Sequence, residues 1–254
     1  MPSVDDEMRF STPERKAAGS CGWLGFRLAV NLGKLEGDDA IIKGKGGLEE
    51  ARRIRNQDFR SSLFEAIFVT EVYPTVFLEE DPSDVFHKLR PYGVIGAGVF
   101  HFNPQGLDKA TGQWVYLKPL HLEGQGFPEY PDRKDFSLWQ LNIPMGVGVK
   151  YFLSENVSLS LEVIHRKTFT DYIDGVSTAY VDPQVFYNHL SLNDAVLATR
   201  MADKRVGQTF VAGEKRGDPT QNDGYYSFGF KLGFRIGGGD NSLRNSTRCP
   251  VIRF

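Results

Sequence analysis

The sequence predicts an all-β fold, an antiparallel up-and-down transmembrane β-barrel. Three observations predict it. From Leu138 to Asp174 the chain alternates with a period of two. Trp139, Leu141, Ile143, Met145, Val147, Val149 and Tyr151 fall on one parity, and Gln140, Asn142, Pro144, Gly146, Gly148 and Lys150 on the other. The two faces are unequal: one is bulky and apolar, the other glycine-rich, small and sparsely charged, as in a narrow barrel that turns its greasy face to lipid. Finally, long connections alternate with short ones, as in barrels with brief turns at one rim and extended loops at the other.

Bulk properties agree. No stretch approaches the run of about 18 apolar residues that a membrane helix requires, whereas barrel strands are half polar and leave hydropathy ordinary. A net charge of −2 gives no support for nucleic-acid binding.

In order along the chain, residues 1–22 are polar and charged and predict a disordered or mis-started leading segment with no visible secretory signal. No apolar run precedes Ala18-Gly19-Ser20-Cys21, so that stretch is not read as a lipoprotein processing site. Residues 23–238 are the barrel and 239–254 a tail. Trp23 to Lys34 is the first strand, with Leu24, Phe26, Leu28, Val30 and Leu32 on one face. The basic run LEEARRIR is read as part of a solvated loop. Leu63 to Tyr73 follows, with Phe64, Ala66, Phe68, Thr70 and Val72 opposite Glu65 and Glu71, and Pro74 at its end. Tyr92 to Phe102 is a strand of unresolved facing, because Gly96 and Gly98 share parity with Tyr92, Val94, Phe100 and Phe102.

A long loop is expected from Asn103 to about Asp135. The central hairpin turns at Ser154-Glu155-Asn156. Gly175 to Asn222 is a second long polar connection. Tyr226 to Gly237 is the last of six readable strands.

The charges locate a candidate site. Arg27, Glu65, Glu71, Lys150, Glu162, Arg166, Lys231 and Arg235 all sit on the small-residue parity. An Arg or Lys at the bilayer midplane costs about 2–4 kcal/mol, so these groups are expected to point inward together as a polar network. Glu162 and Arg166 are the nearest opposite pair in sequence. No phosphate loop, HExxH, paired-cysteine metal site or GxSxG elbow is present, and the histidines have no ligand spacing. A non-enzymatic protein with no cofactor and no metal is expected. Cys21 and Cys249 leave a disulfide open.

Several stretches resemble the small outer-membrane β-barrel family that includes PorG, a component of the type IX secretion system of Bacteroidota. They are LAVNLGKLEGDD (28–39), YGVIGAGVFHFNPQ (92–105), LKPLHLEGQG (117–126), LWQLNIPMGVGVKYFLSEN (138–156), LEVIHRKTFTDYIDGVSTAYVD (161–182), RGDPTQND (216–223) and RCP near the end. The most specific is Arg166–Asp182. The resemblance implies an eight-stranded barrel in the outer membrane of a Gram-negative bacterium. It also implies contact with outer-membrane lipid, association with periplasmic ring proteins of the PorK and PorN type, and a role in protein export. It supplies no catalytic residue. Within its best-matched motif, Arg166, Thr168, Phe169, Thr170, Asp171, Tyr172 and Asp174 are expected to order a strand end and loop, or to form a partner surface. Family members carry a signal peptide and two further strands before the segment matching Trp23, so a truncated or mis-started chain is expected, or else a partner that supplies the missing edge. Two other functions stay open: a structural outer-membrane barrel without a secretion role, and a soluble β-barrel binding a small apolar ligand.

Overall fold

A computed structural model describes residues 23–42, 46–77, 85–154, 156–205, 207 and 209–234. Residues 1–22, the 239–254 tail, Cys21, Cys249 and Arg235 lie outside the described residues.

The strands are β1 (Leu24–Asp38), β2 (Asp58–Val72), β3 (Leu89–Asp108), β4 (Gln113–Tyr116), β5 (Trp139–Phe152), β6 (Val157–Thr168) and β7 (Gly224–Phe234). They form one antiparallel sheet of order β1-β2-β3-β5-β6-β7, with β4 paired to the end of β3. The sheet curls into an up-and-down half-barrel. Among the described residues β1 pairs only with β2, and β7 only with β6. No helix among them is long and apolar enough to cross a membrane.

Parity decides the two faces. On the convex face Phe26, Leu28, Val30 and Leu32 of β1 are exposed, as are Phe64 and Phe68 of β2 and Ile95 and Val99 of β3. The row continues through Leu141, Val147 and Val149 of β5, Leu161 and Val163 of β6, and Phe228, Phe230 and Leu232 of β7. Phe228 is 83% exposed and Leu32 81%. The concave face takes the opposite parity. β3 resolves here: its even row, with Tyr92, Val94, Phe100 and Phe102 buried, points inward beside Gly96 and Gly98. The interior is therefore part apolar, with Ile67, Val69, Tyr92, Val94 and Ile164 in one cluster.

Inward glycines make this curvature possible. A Cβ on Gly148 would stand 2.4 Å from the Tyr92 ring, and one on Gly146 would stand 2.1 Å from the Val163 carbonyl oxygen. A side chain at Gly148 would have to push the Tyr92 ring aside, and one at Gly146 would meet the backbone of β6.

The connections follow the antiparallel order. The connections between β2 and β3 and between β5 and β6 lie at one rim, the second of them a four-residue turn. Those after β1, β4 and β6 gather at the other. They are more ordered than expected. LEEARRIR is not a loop but most of helix α1 (Gly47–Arg55), closed by Asn56 in the left-handed region, whose N–H donates to the Arg52 carbonyl at 3.0 Å. α2 (Val85–Lys88) is a single turn before β3.

The loop expected from Asn103 instead continues β3 to Asp108 and returns as β4. The 175–222 connection contains α3 (Pro183–His189), capped by Asp182, and α4 (Leu192–Ala202), capped by Ser191. Leu117, Leu120, Leu122, Phe127, Val181 and Phe186 bury one apolar core with Ala195, Ala198 and Met201 of α4. The result is a folded cap over the long-loop rim. It is tied down by Lys204 to Asp58 at 2.7 Å and Arg200 to Asp108 at 2.8 Å.

Candidate functional site

The charged interior is built in two tiers. The tier nearer the short turns holds two carboxylates. Glu71 projects from β2 and Glu162 from β6, on opposite walls of the curl. Arg27 of β1 lies between them, 3.0 Å from Glu71 and 2.8 Å from Glu162. Lys231 of β7 lies 2.6 Å from Glu162 and 3.8 Å from Glu71. Lys150 of β5 lies 3.4 Å from Glu71. Two phenols complete the tier: Tyr92 donates to Glu162 at 3.0 Å, and Tyr73 donates to Glu71 and contacts Lys150.

The second tier centres on one carboxylate. Glu65 is 3% exposed. It faces Arg166 at 3.2 Å through two guanidinium nitrogens, and it accepts from Asn142 at 2.6 Å, Asn31 at 2.7 Å and Tyr225 at 3.0 Å. Arg166 also donates to the Ile164 carbonyl at 3.1 Å and to the Ser227 hydroxyl. A buried charge is tolerated only when such partners replace water.

Seven of the eight charged residues named from the sequence thus sit on the concave face, and Arg235 is outside the described residues. The pairing of Glu162 with Arg166 is not what forms. Four residues along one strand put their side chains about 13 Å apart, so each finds its partner across the interior. Glu162 takes Arg27, 135 residues away in sequence, and Arg166 takes Glu65, 101 away. Sequence reasoning left Asn31, Tyr73, Tyr92, Asn142 and Tyr225 out of the network. Tyr73 shares parity with Glu65 and Glu71, a signal that was available. Tyr225 lies one residue before the strand as read.

The Arg166–Asp174 motif orders the seal between barrel and cap. Thr168 is fully buried, and its hydroxyl donates to the carbonyls of Asp223 and Thr170. The Ile173 side chain packs with Leu63, Phe100 and Phe102 inside the mouth. Its N–H donates to Asp223 at 2.8 Å. Tyr172 stacks on Phe136 at 4.4 Å. Asp174 accepts from the Val176 N–H at 2.9 Å. Asp171, Tyr172 and Asp174 are half-buried, and Phe169 is the exposed member.

The paired carboxylates link opposite walls of this interior. No described group of three or more His, Cys, Asp or Glu residues is arranged to hold a metal ion. His101 stacks beside Trp139 and His165 beside Tyr226, both on the outer face at the cap-side rim.

Fold and site together define an antiparallel β half-barrel with an ion-paired interior and a helical cap. Comparison with protein families, with curated proteins and with solved structures finds no match to this chain.

Proposed function

We propose that this chain is a non-enzymatic outer-membrane β-barrel protein that anchors or assists a type IX secretion assembly. The observation that carries the membrane part is the convex surface. An apolar row crosses all six strands of the curl, while the charges on those strands between the rims are paired inside. Exposed apolar patches beyond a few hundred Å² are rare on soluble monomers.

The dimensions agree. From Trp139 to Tyr151 the outer row of β5 runs about 40 Å at about 3.3 Å per residue, and a tilt of about 40° projects it to about 30 Å. That is the roughly 25 Å apolar band with its aromatic girdles. Trp139, Phe64, His101 and Tyr226 supply rings at the cap-side rim, and Trp23, Phe77 and Tyr151 at the other.

The secretion role rests on the likeness of Arg166–Asp182 and its companion stretches to the PorG-like family. A braced interior under a folded cap suits an anchor better than a channel. Periplasmic ring proteins of the PorK and PorN type are the partners this reading names.

Two measurements test it. The full chain is expected to partition into detergent and to show heat-dependent gel mobility. A water-soluble monomer without detergent overturns the membrane reading in favour of a soluble barrel with an apolar ligand. Affinity capture from solubilised membranes is expected to recover ring proteins. A folded barrel that captures none overturns the secretion role and leaves a structural barrel.

A further inference from the structure

Beneath the cap, three connections meet at a cluster of seven charged groups. From the β1–β2 connection come Asp39 and Arg55, paired at 2.8 Å. From the connection before β5 comes Glu123, and from the β6–β7 connection come Asp171, Asp174, Arg216 and Asp223. Glu123 and Arg216 are both wholly buried at the side chain and meet at 2.8 Å.

Hydrogen bonds lace the connections together. Glu123 accepts from the N–H groups of Ser177 at 2.9 Å and Thr178 at 2.8 Å, and from the Thr178 hydroxyl at 2.8 Å. Arg55 donates to the Arg216 carbonyl at 3.3 Å, and Arg216 donates to the Gly175 carbonyl at 3.1 Å.

Five carboxyl groups therefore share a partly buried space with two guanidinium groups. Asp39 pairs with Arg55 and Glu123 with Nη1 of Arg216, while the Arg216 Nε and Nη2 are buried with no hydrogen-bond partner. Asp171, Asp174 and Asp223 remain, and the Asp171 Oδ2 atom is buried with no hydrogen-bond partner. We propose that this junction is a proton-operated latch: with Asp171 and Asp174 neutral it clamps the three connections together, and with both ionised their mutual repulsion loosens the cap.

The electrostatics of each group fit that geometry. Burial pushes Asp171 up to about 8; Ser177 opposes the rise, and Asp223, Asp174 and Glu123 add to it. Burial and then Asp223 push Asp174 up to about 7, against the Val176 N–H, Arg55 and Arg216. Burial also raises Asp223, against the Ile173 N–H. A carboxyl raised in the folded state binds its proton there while the unfolded chain has lost it. The stabilisation is thus complete below about pH 4 and disappears as pH rises through 7 to 8. The latch tightens in acid and opens in base, and it operates whether or not the convex face meets lipid.

Backbone hydrogen exchange on the full chain in detergent tests this. Protection factors, corrected for intrinsic rates, are read at Ile173, Val176, Ser177 and Thr178 between pH 6 and 9. They are expected to fall about tenfold or more, the change that one linked proton produces per pH unit, while β5 amides hold theirs. The D171N/D174N double variant, neutral at every pH, is expected to keep high protection throughout. Flat protection in the wild-type chain, or an unchanged fall in the double variant, overturns the latch. If the double variant does not fold, carboxyl carbon shifts in the wild-type chain decide: titration of both aspartates below pH 5 overturns the proposal.

Discussion

Arg166 and Lys167 are neighbours with opposite fates. Arg166 is 4% exposed and held by Glu65, whereas Lys167 is on the convex side and exposed. Removing one partner of a buried pair strands the other charge, at a cost of about 3–5 kcal/mol. An exposed substitution away from such features changes stability by about 0.5 kcal/mol or less. Arg166→Leu is therefore expected to lower the denaturant midpoint in detergent far more than Lys167→Leu, and equal shifts would refute the facing. Parity alone placed both side chains correctly. It did not reveal the partner, because Glu65 and Arg166 are brought together by the curl of the sheet and by nothing local.

At the scale of the element, glycine content has two meanings. Gly148 makes room for the Tyr92 ring, and Tyr92 in turn reaches Glu162. Gly33, on the same face of β1, has open space where a Cβ would stand. Gly148→Val is expected to destabilise by about 1–3 kcal/mol through overpacking. Gly33→Val is expected to be neutral or slightly stabilising, since a β-branched residue suits a strand. Unfolding midpoints of the two variants check both.

The helices show a different limit. The stretch read as polar linker contains Ser191 as an N-cap with Asp194 three residues on, followed by Ala195, Ala198, Met201 and Ala202 buried at helical spacing. That signal was present in small residues, which a reading weighted toward bulky groups passes over. Asn103 to Asp108 was lost for a related reason. Asn103, Pro104 and Gly106 read as a turn, yet the chain stays extended because it pairs with β2 and β4.

For the whole molecule, barrel and cap keep separate cores. The cap cluster around Phe186 shares no buried residue with the two clusters inside the curl. Phe186 is fully buried, and truncating such a ring costs about 3–5 kcal/mol. Phe186→Ala is expected to expose residues 178–205 to protease while the amides of β5 keep their exchange protection. Simultaneous loss of both would show one cooperative unit.

The β class, the up-and-down order, the short-turn rim and the side on which each charge points were determined by the sequence itself. A period of two is a local property that backbone sterics impose on any strand. The ion-pair partners, the inward aromatic row of β3, the fold of the cap and the meeting of three connections at Asp171 and Asp174 were decided only in three dimensions. Each depends on how far the sheet curls. That curvature is a collective result of many inward glycines and their neighbours, and it determines which residues far apart in the chain come within reach of one another.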